Sequence, residues 1–104
     1  MGEYRIELSD KAKRDMLGIH AYIANNLDEP NTADSVLDRL DSGIQTLGFM
    51  PMRYGLERNE HLKRKGFRKI LIDNYLVFYT VNENTNTVFV IRVLYARRDW
   101  VNLL

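Results

Sequence analysis

Basic side chains cluster in the second half of this 104-residue chain, and they are its clearest candidates for chemistry. They are His61, Lys63, Arg64, Lys65, Arg68, Lys69, Arg92, Arg97 and Arg98. Lysine and arginine neutralise phosphates and supply much of the affinity of nucleic-acid interfaces. If the fold gathers these residues on one side, they form a surface for a polyanion. The alternative is that the basic run is simply solvated.

Four aromatic residues of the same region could stack on bases beside such a surface. They are Tyr75, Tyr79, Tyr95 and Trp100. Aromatic residues in strands more often belong to the hydrophobic core, and we favour that reading for the tyrosines.

Cleavage of RNA without a metal ion is one chemistry that these residue types could perform. It requires a group to deprotonate the ribose 2′-hydroxyl, a cation to stabilise the phosphorane and a group to protonate the leaving oxygen. Lysine, arginine and tyrosine can fill these roles only if their side chains converge. The residue types are present, and convergence depends on the fold.

Arg92 stands out because it interrupts an otherwise apolar strand pattern at residues 88–94. A buried guanidinium without a partner is costly, since burial removes its hydration. We therefore expect Arg92 to meet a carboxylate or a backbone carbonyl.

Several other kinds of site are disfavoured. The chain contains no cysteine, which excludes disulfides, thiolate nucleophiles and thiolate metal ligands. His20 lies beside an apolar helical stripe and His61 lies in the basic run, neither with a second ligand at metal-binding spacing. No nucleophile elbow or glycine-rich phosphate loop is present. We expect no metal and no cofactor.

The two halves of the chain differ in charge, although its formal net charge is only +1. Residues 1–50 contain five Lys/Arg and nine Asp/Glu, whereas residues 51–104 contain ten and five. This asymmetry suggests that the second half meets a polyanion or an acidic protein surface. Attraction between the two halves within the fold would explain it equally well.

Length and composition indicate one domain spanning residues 1–104, with enough apolar residues for a single core. No apolar stretch is long enough for a membrane span or a secretory signal. We expect a soluble cytoplasmic protein.

Hydrophobic periodicity predicts the elements that must position the basic residues. Alternation predicts a strand at 4–8, and apolar spacings of three and four predict helices at about 10–26 and from about 28–32 to 48. Residues 51–66 have the composition of a loop. Three strands follow at 67–72, 75–81 and 88–95. The predicted fold is α+β, in the order β-α-α-β-β-β, with a helical hairpin on one face of a mainly antiparallel sheet whose other face is partly open.

Three local strings in this order resemble a known family. They are Gly66-Phe67-Arg68, the string Asn-Tyr-Leu-Val-Phe-Tyr at 74–79 and the string Ile-Arg-Val-Leu-Tyr-Ala-Arg-Arg-Asp at 91–99. With the order of elements, they resemble the RelE/ParE superfamily of bacterial type II toxins over almost the whole chain. The last string is similar to the ParE-type ending.

The resemblance implies a toxin that inhibits growth, in a module of the kind that contributes to plasmid stabilization. A cognate antitoxin would hold it inactive, by wrapping an extended segment over its apolar and basic surfaces, and would alone carry contact with operator DNA. RelE-type members cut mRNA on the ribosome, whereas ParE-type members poison DNA gyrase.

The resemblance also separates these two activities at particular positions. RelE-type nucleases carry an arginine where this chain has Leu76, although Lys69 matches a lysine of the nuclease set. Leucine cannot hold a phosphate, so the resemblance favours a ParE-like protein acting on gyrase. The alternatives are a ribosome-dependent mRNA endoribonuclease and a non-toxic binding relative.

The candidate residues follow from the same resemblance. An altered nuclease site would use Arg68, Lys69, Arg92, Tyr95 and Arg97. Binding of the target or the antitoxin would use Lys63, Arg64, Lys65, Arg68, Arg92, Arg97, Arg98 and Trp100.

Overall fold

A computed structural model of the protein describes residues 3–104. Its strands and helices, in chain order, are β1 Arg5–Leu8, α1 Asp10–Ala21, α2 Pro30–Gln45, α3 Glu60–Arg64, β2 Arg68–Ile72, β3 Tyr75–Asn82 and β4 Thr87–Tyr95. A π-helical turn, Tyr22–Asn26, continues α1, and short 3₁₀ turns form at Thr46–Gly48, Pro51–Arg53 and Trp100–Leu103.

The four strands form one sheet in the order β1-β4-β3-β2. β1 is parallel to β4, and the other two pairings are antiparallel. The helical hairpin of α1 and α2 packs on one face. The predicted α+β architecture is therefore confirmed, with the addition of the short helix α3.

The hairpin forms where local sequence signals favour it. Ser9 caps α1 by accepting a hydrogen bond from the Ala12 amide at 2.9 Å, which satisfies one of the free donors of the first turn. The helical segment ends at Asn26 as predicted, although its last turn is π-helical. The chain then reverses through Asp28 at positive φ, and Pro30 occupies the first turn of α2.

Both helices bury one stripe against the sheet. Ala33, Val36, Leu40 and Ile44 of α2 are buried, as the three- and four-residue spacing predicts. They meet the buried side chains of Val77, Tyr79, Val88, Val90 and Val93 on what we call the hairpin face.

The opposite side of the sheet, which we call the outer face, is covered by residues 100–104. Leu76, Phe78 and Leu94 are buried there, and Trp100 and Leu103 pack against them. Leu71 stays 61% exposed on the outer edge strand. The prediction that this face of the sheet is partly covered is confirmed. The sequence pattern did not indicate that residues 100–104 form the cover.

The prediction of a loop at residues 51–66 is wrong in part, because this region contains a 3₁₀ turn and the helix α3. Asn59 caps α3 by accepting a hydrogen bond from the Leu62 amide, and Leu62 is buried. A five-residue helix with one buried side chain has too little periodicity to be recognised in sequence.

Among the described residues, each helix is too short or too polar to cross a lipid bilayer.

Candidate functional site

Arg92 has the partners that its sequence context requires. Its Nε and Nη2 atoms donate to the two carboxylate oxygens of Asp15 at 2.7 and 2.9 Å, and its Nη1 donates to the Leu103 carbonyl at 3.0 Å. The hydrogen bonds that Arg92 donates to the Asp15 carboxylate raise the pKa of Arg92, and both side chains are only about 15% exposed. The expectation that Arg92 meets a carboxylate or a backbone carbonyl is confirmed, because it binds the Asp15 carboxylate and the Leu103 carbonyl.

The fold explains why Asp15 lies in that position. β1 ends at Leu8, opposite Val90, so the rest of that edge of β4 has no neighbouring strand. α1 fills the gap, because Asp15 also accepts a hydrogen bond from the Val93 amide at 2.9 Å. These bonds leave the Asp15 side chain only 14% exposed, although it lies among the charged residues of α1 rather than in its apolar stripe.

Lys69 is also engaged within the chain, on the outer face. Its Nζ lies 3.1 Å from Oε1 of the buried Glu57 and 4.5 Å from the centre of the Trp100 ring. The Trp100 ring in turn packs on Phe78, with ring centres 5.0 Å apart. Lys69 is therefore paired with a carboxylate and attracted to an aromatic face, while its side chain remains 35% exposed.

Leu76 lies in the same region and is 9% exposed. Its neighbours in the outer-face cluster are Phe78, Leu94, Trp100 and Leu103. The position that carries arginine in RelE-type nucleases is thus part of an apolar core here.

Arg68 organises the connection that leads to α3. Its guanidinium donates to the Tyr54 carbonyl, and it lies across from Tyr79 in the strand register. Tyr79 is fully buried and donates its hydroxyl to the Pro51 carbonyl at 2.7 Å. Burial raises the pKa of Tyr79 to about 12.

Tyr95 lies apart from Lys69 and Arg92. It packs edge-on against Tyr75, the first residue of β3, with ring centres 5.9 Å apart. Burial, and the neighbouring Tyr95 and Asp73, raise the pKa of Tyr75. Of the five residues of the altered nuclease set, Lys69 and Arg92 flank Phe78 in the strand register on the outer face. Arg68 and Tyr95 pair with residues of the hairpin face, and Arg97 follows β4.

The remaining basic candidates are exposed and make no side-chain hydrogen bond or ion pair within residues 3–104. They are Lys63, Arg64, Lys65, Arg97 and Arg98. The first three lie on α3 and the turn that follows it, and the last two follow β4.

A groove of about 1130 Å³ separates the end of the hairpin from the ends of β3 and β4. Tyr22, Tyr75, Tyr95, Arg14 and Arg98 are among its lining residues. Tyr22 and Arg14 were not predicted as site residues, because both follow the ordinary sequence pattern of an exposed helix face. The one available signal was Gly18, which lies between them in the middle of α1.

The two histidines occupy different settings. His20 Nε2 lies 2.7 Å from the Asp34 carboxylate and links α1 to α2, while His61 is exposed on α3. Within residues 3–104, no three His, Asp or Glu side chains are grouped closely enough to bind a metal ion.

A comparison with known protein families identifies the family of this chain. Residues 6–100 match the model of the ParE toxin of the type II toxin-antitoxin system parDE. The chain belongs to the ParE toxin family. The family model covers the hairpin, all of the sheet except Arg5 and the residues that form the outer-face cluster up to Trp100.

Solved structures share this fold of the ParE family at low sequence identity. The chromosomal ParDE system of P. aeruginosa aligns with a TM-score of 0.75 at 14% identity, covering 91% of this chain and 98% of that one. A mutant of E. coli toxin RelE in the free state aligns with a TM-score of 0.67 at 17% identity, with coverages of 99% and 93%.

The M. tuberculosis RelBE2 toxin-antitoxin complex aligns with a TM-score of 0.63 at 19% identity, covering 89% of this chain and 98% of that one. Among curated proteins, none matches the sequence significantly.

Proposed function

We propose that this ParE-family toxin inhibits growth by acting on DNA gyrase, and that a cognate antitoxin neutralises it. Family membership and the likeness to toxin-antitoxin complexes support a type II toxin with an antitoxin partner. The choice of gyrase over mRNA rests on one observation: on the outer face of the sheet, Lys69 and Arg92 are paired and Leu76 is covered, and we call this region the closed part of the outer face. A cytoplasmic location follows from this target.

The closed part of the outer face disfavours RNA cleavage for a physical reason. An RNA phosphate would need a free cation, yet Lys69 is bonded to Glu57 and Arg92 to Asp15. Leu76 offers no charge and is buried beneath the cover formed by residues 100–104. A phosphate there would have to break two ion pairs and expose an apolar cluster, which is costly.

The free basic residues support contact with an acidic macromolecular surface instead. Lys63, Arg64 and Lys65 project from one short segment, while Arg97 and Arg98 follow β4. Exposed, unpaired cations accelerate association with an acidic partner and can form charge-assisted hydrogen bonds with it. We assign these five residues to binding of gyrase or of the antitoxin.

A supercoiling assay with purified gyrase tests the proposal. The purified toxin should inhibit supercoiling or trap cleaved DNA, and a K63A/R64A/K65A variant should inhibit at least tenfold less. The matched control is K11A/K13A, which removes two exposed cations from the start of α1. Unchanged supercoiling at large molar excess of the wild-type toxin would contradict the proposal.

A ribosome-dependent mRNA endonuclease is the second candidate. It is favoured by Lys69, which matches a lysine of the RelE-type set and lies on the same side of the sheet as Trp100. Incubation of the toxin with purified ribosomes carrying a defined mRNA tests it. Cleavage by the wild type and its loss in Lys69→Ala would support this candidate.

A further inference from the structure

Met50 has a backbone conformation that its side chain disfavours. Within residues 3–104, four non-glycine residues have positive φ, and three of them are Asp28, Asp73 and Asn86. Short polar side chains tolerate this left-handed region because they can hydrogen-bond locally. The fourth is Met50, with φ 52° and ψ 58°, and a long apolar side chain makes no such bond. Glycine would suit the turn better, so local folding does not explain a methionine here.

The Met50 side chain also contributes little to the interior. It is 60% exposed and packs in neither of the two apolar clusters within residues 3–104. Phe49 is 66% exposed and Met52 is 40% exposed, so three large apolar side chains within four consecutive residues meet solvent. We call Phe49, Met50 and Met52 the Met50 patch. Exposed apolar surface of this kind is typical of a protein-binding site, and flexible methionines are frequent in such sites.

Arg53 holds this turn in its strained conformation. Its Nη1 donates to the carbonyls of Phe49, of Met50 at 3.2 Å and of Thr46 at 3.3 Å. The Arg53 amide donates to the Met50 carbonyl as well, at 3.1 Å. Strained backbone persists only where its surroundings fix it, and it is concentrated at functional sites. The Met50 patch is therefore a preformed surface.

The charge around the patch is positive. Residues 49–65 contain five Lys/Arg and two Asp/Glu. One of the two carboxylates, Glu57, is buried and paired with Lys69. Arg53 binds carbonyl oxygens and no carboxylate, and Arg58 is exposed without a side-chain hydrogen bond or ion pair among the described residues. Such a surface complements a partner that presents carboxylates beside an apolar site.

Backbone pairing brings this segment next to the cations of α3. Leu56 forms an antiparallel bridge with Arg68, and the Glu57 amide donates to the Phe67 carbonyl at 2.9 Å. Arg58 therefore lies beside the turn that follows α3, where the basic run 63–65 ends. None of residues 49–65 lines the groove beside α1, at the ends of β3 and β4.

We propose that the Met50 patch, rimmed by Arg58 and the basic run 63–65, is the surface through which the toxin binds an acidic, folded region of gyrase. A tight turn presents its side chains outward, so it fits a recess on a folded partner. An extended segment binds instead in a groove or along a free strand edge. The inference rests on the proposed function for the identity of the target, and it adds the apolar residues that make the contact.

Binding of the toxin to immobilised purified gyrase, measured by surface plasmon resonance, tests the inference. Phe49→Ser should weaken binding at least tenfold, because it removes the most exposed ring of the patch. The matched control is Leu17→Ser, which removes an equally exposed apolar side chain from α1 and should change the affinity less than threefold.

Met50→Gly separates binding from stability. It removes the side chain and permits the positive φ, so it should raise the melting temperature and still weaken binding at least tenfold. A variant that is more stable and binds less tightly has not lost its affinity through misfolding.

Charge reversal provides an arm that leaves the Met50 patch intact. Arg58→Glu should weaken binding at least fivefold at low salt, and the difference should shrink as salt is raised. Lys11→Glu is the control, because it reverses an exposed cation on α1, away from the patch.

The outcomes distinguish this inference from the proposed function. Tight binding of gyrase by the wild type and equally tight binding by Phe49→Ser and Met50→Gly would overturn the inference alone. Absence of binding and of inhibition by the wild type would overturn the proposed target as well. Unchanged gyrase affinity, with weaker binding of the antitoxin encoded by the adjacent reading frame, would assign the patch to the antitoxin. Self-association of the wild type that Phe49→Ser abolishes, with unchanged gyrase affinity, would assign the patch to a second copy.

Discussion

The outer face of the sheet and the groove beside α1 both combine cations with aromatic rings, but Lys69 and Arg92 of the outer face are paired within the chain, whereas two of the three arginines that line the groove are not. Lys69 and Arg92 are bonded to Glu57 and Asp15, and Trp100 is packed on Phe78. In the groove, Arg14 and Arg98 have no ionic partner within residues 3–104, and Tyr22 is more than half exposed.

This difference shows that a high density of basic residues does not by itself identify a functional surface. In this ParE-family toxin, the two cations that most resemble a nuclease set, Lys69 and Arg92, are paired with carboxylates of the same chain, and the largely buried Arg92 requires such a partner. Cations that do not pair internally are the ones available to a partner. Breaking the internal pairs should therefore affect folding, whereas changes in the groove should affect binding.

The largest loss of stability is expected when the Arg92–Asp15 ion pair is broken. Asp15→Asn leaves the Arg92 guanidinium poorly compensated at a largely buried site, and it should lower the free energy of unfolding by about 3 kcal/mol. Asp73→Asn is the matched control, because the Arg39–Asp73 pair is 53% and 31% exposed and should contribute about 1 kcal/mol or less. Urea denaturation measures both. Equal costs for the two variants would contradict the comparison.

The aromatic residues of the two regions should also differ. Trp100→Ala removes the ring between Phe78 and Lys69 and should cost about 2 kcal/mol, less than for a fully buried ring. Tyr22→Ala removes a ring that is 55% exposed and should cost about 0.5 kcal/mol. Thermal unfolding compares them. A greater loss for Tyr22→Ala would mean that the groove, and not the outer face, is structural.

The burial of Tyr79 can be tested by the pH dependence of stability. Tyr79→Phe leaves the Pro51 carbonyl without its donor, which should cost about 1 kcal/mol at pH 7. The pKa of Tyr79 is raised from 10.0 to about 12, so its contribution is full below pH 10 and is lost as pH rises towards 12. The wild type should therefore approach the variant in stability as pH rises. Denaturation at pH 7 and pH 11 measures this, and a constant difference would contradict burial of the phenol.

The two helical glycines should respond in opposite directions. Gly18→Ala should stabilise the toxin by about 1 kcal/mol, because alanine favours helix and the new methyl group meets open space. Gly43→Ala should destabilise it by about 1 kcal/mol, because the methyl group collides with Ile72 and the overpacking outweighs the gain in propensity. Chemical denaturation determines the two signs. A stabilising Gly43→Ala would mean that the hairpin packs loosely on β2.

Most of the fold could be predicted from the sequence because its elements have strong local signals. The stripe of α2 and the alternation of β1 are complete within their own segments. The helix α3 was missed because five residues carry one buried side chain. The cover over the outer face was missed because Trp100 and Leu103 act through contacts with distant strands.

The candidate site was less predictable, because its residue types were recognisable but their pairing was not. Arg92 required a partner on physical grounds, yet Asp15 could be named only once β1 was known to end at Leu8. Glu57 is separated from Lys69 by a helix and a turn, so no local spacing joins them. The groove depends on four elements, α1, α2, β3 and β4, that meet only in the folded chain.

The most direct test of the closed part of the outer face is to map mRNA 5′ ends in cells after induction of the toxin. We predict growth arrest without new ends phased to codons, because Lys69 and Arg92 are occupied and Leu76 is buried. Codon-phased cuts that appear with the wild type and disappear with Lys69→Ala would contradict this account and identify the outer face as a nuclease site.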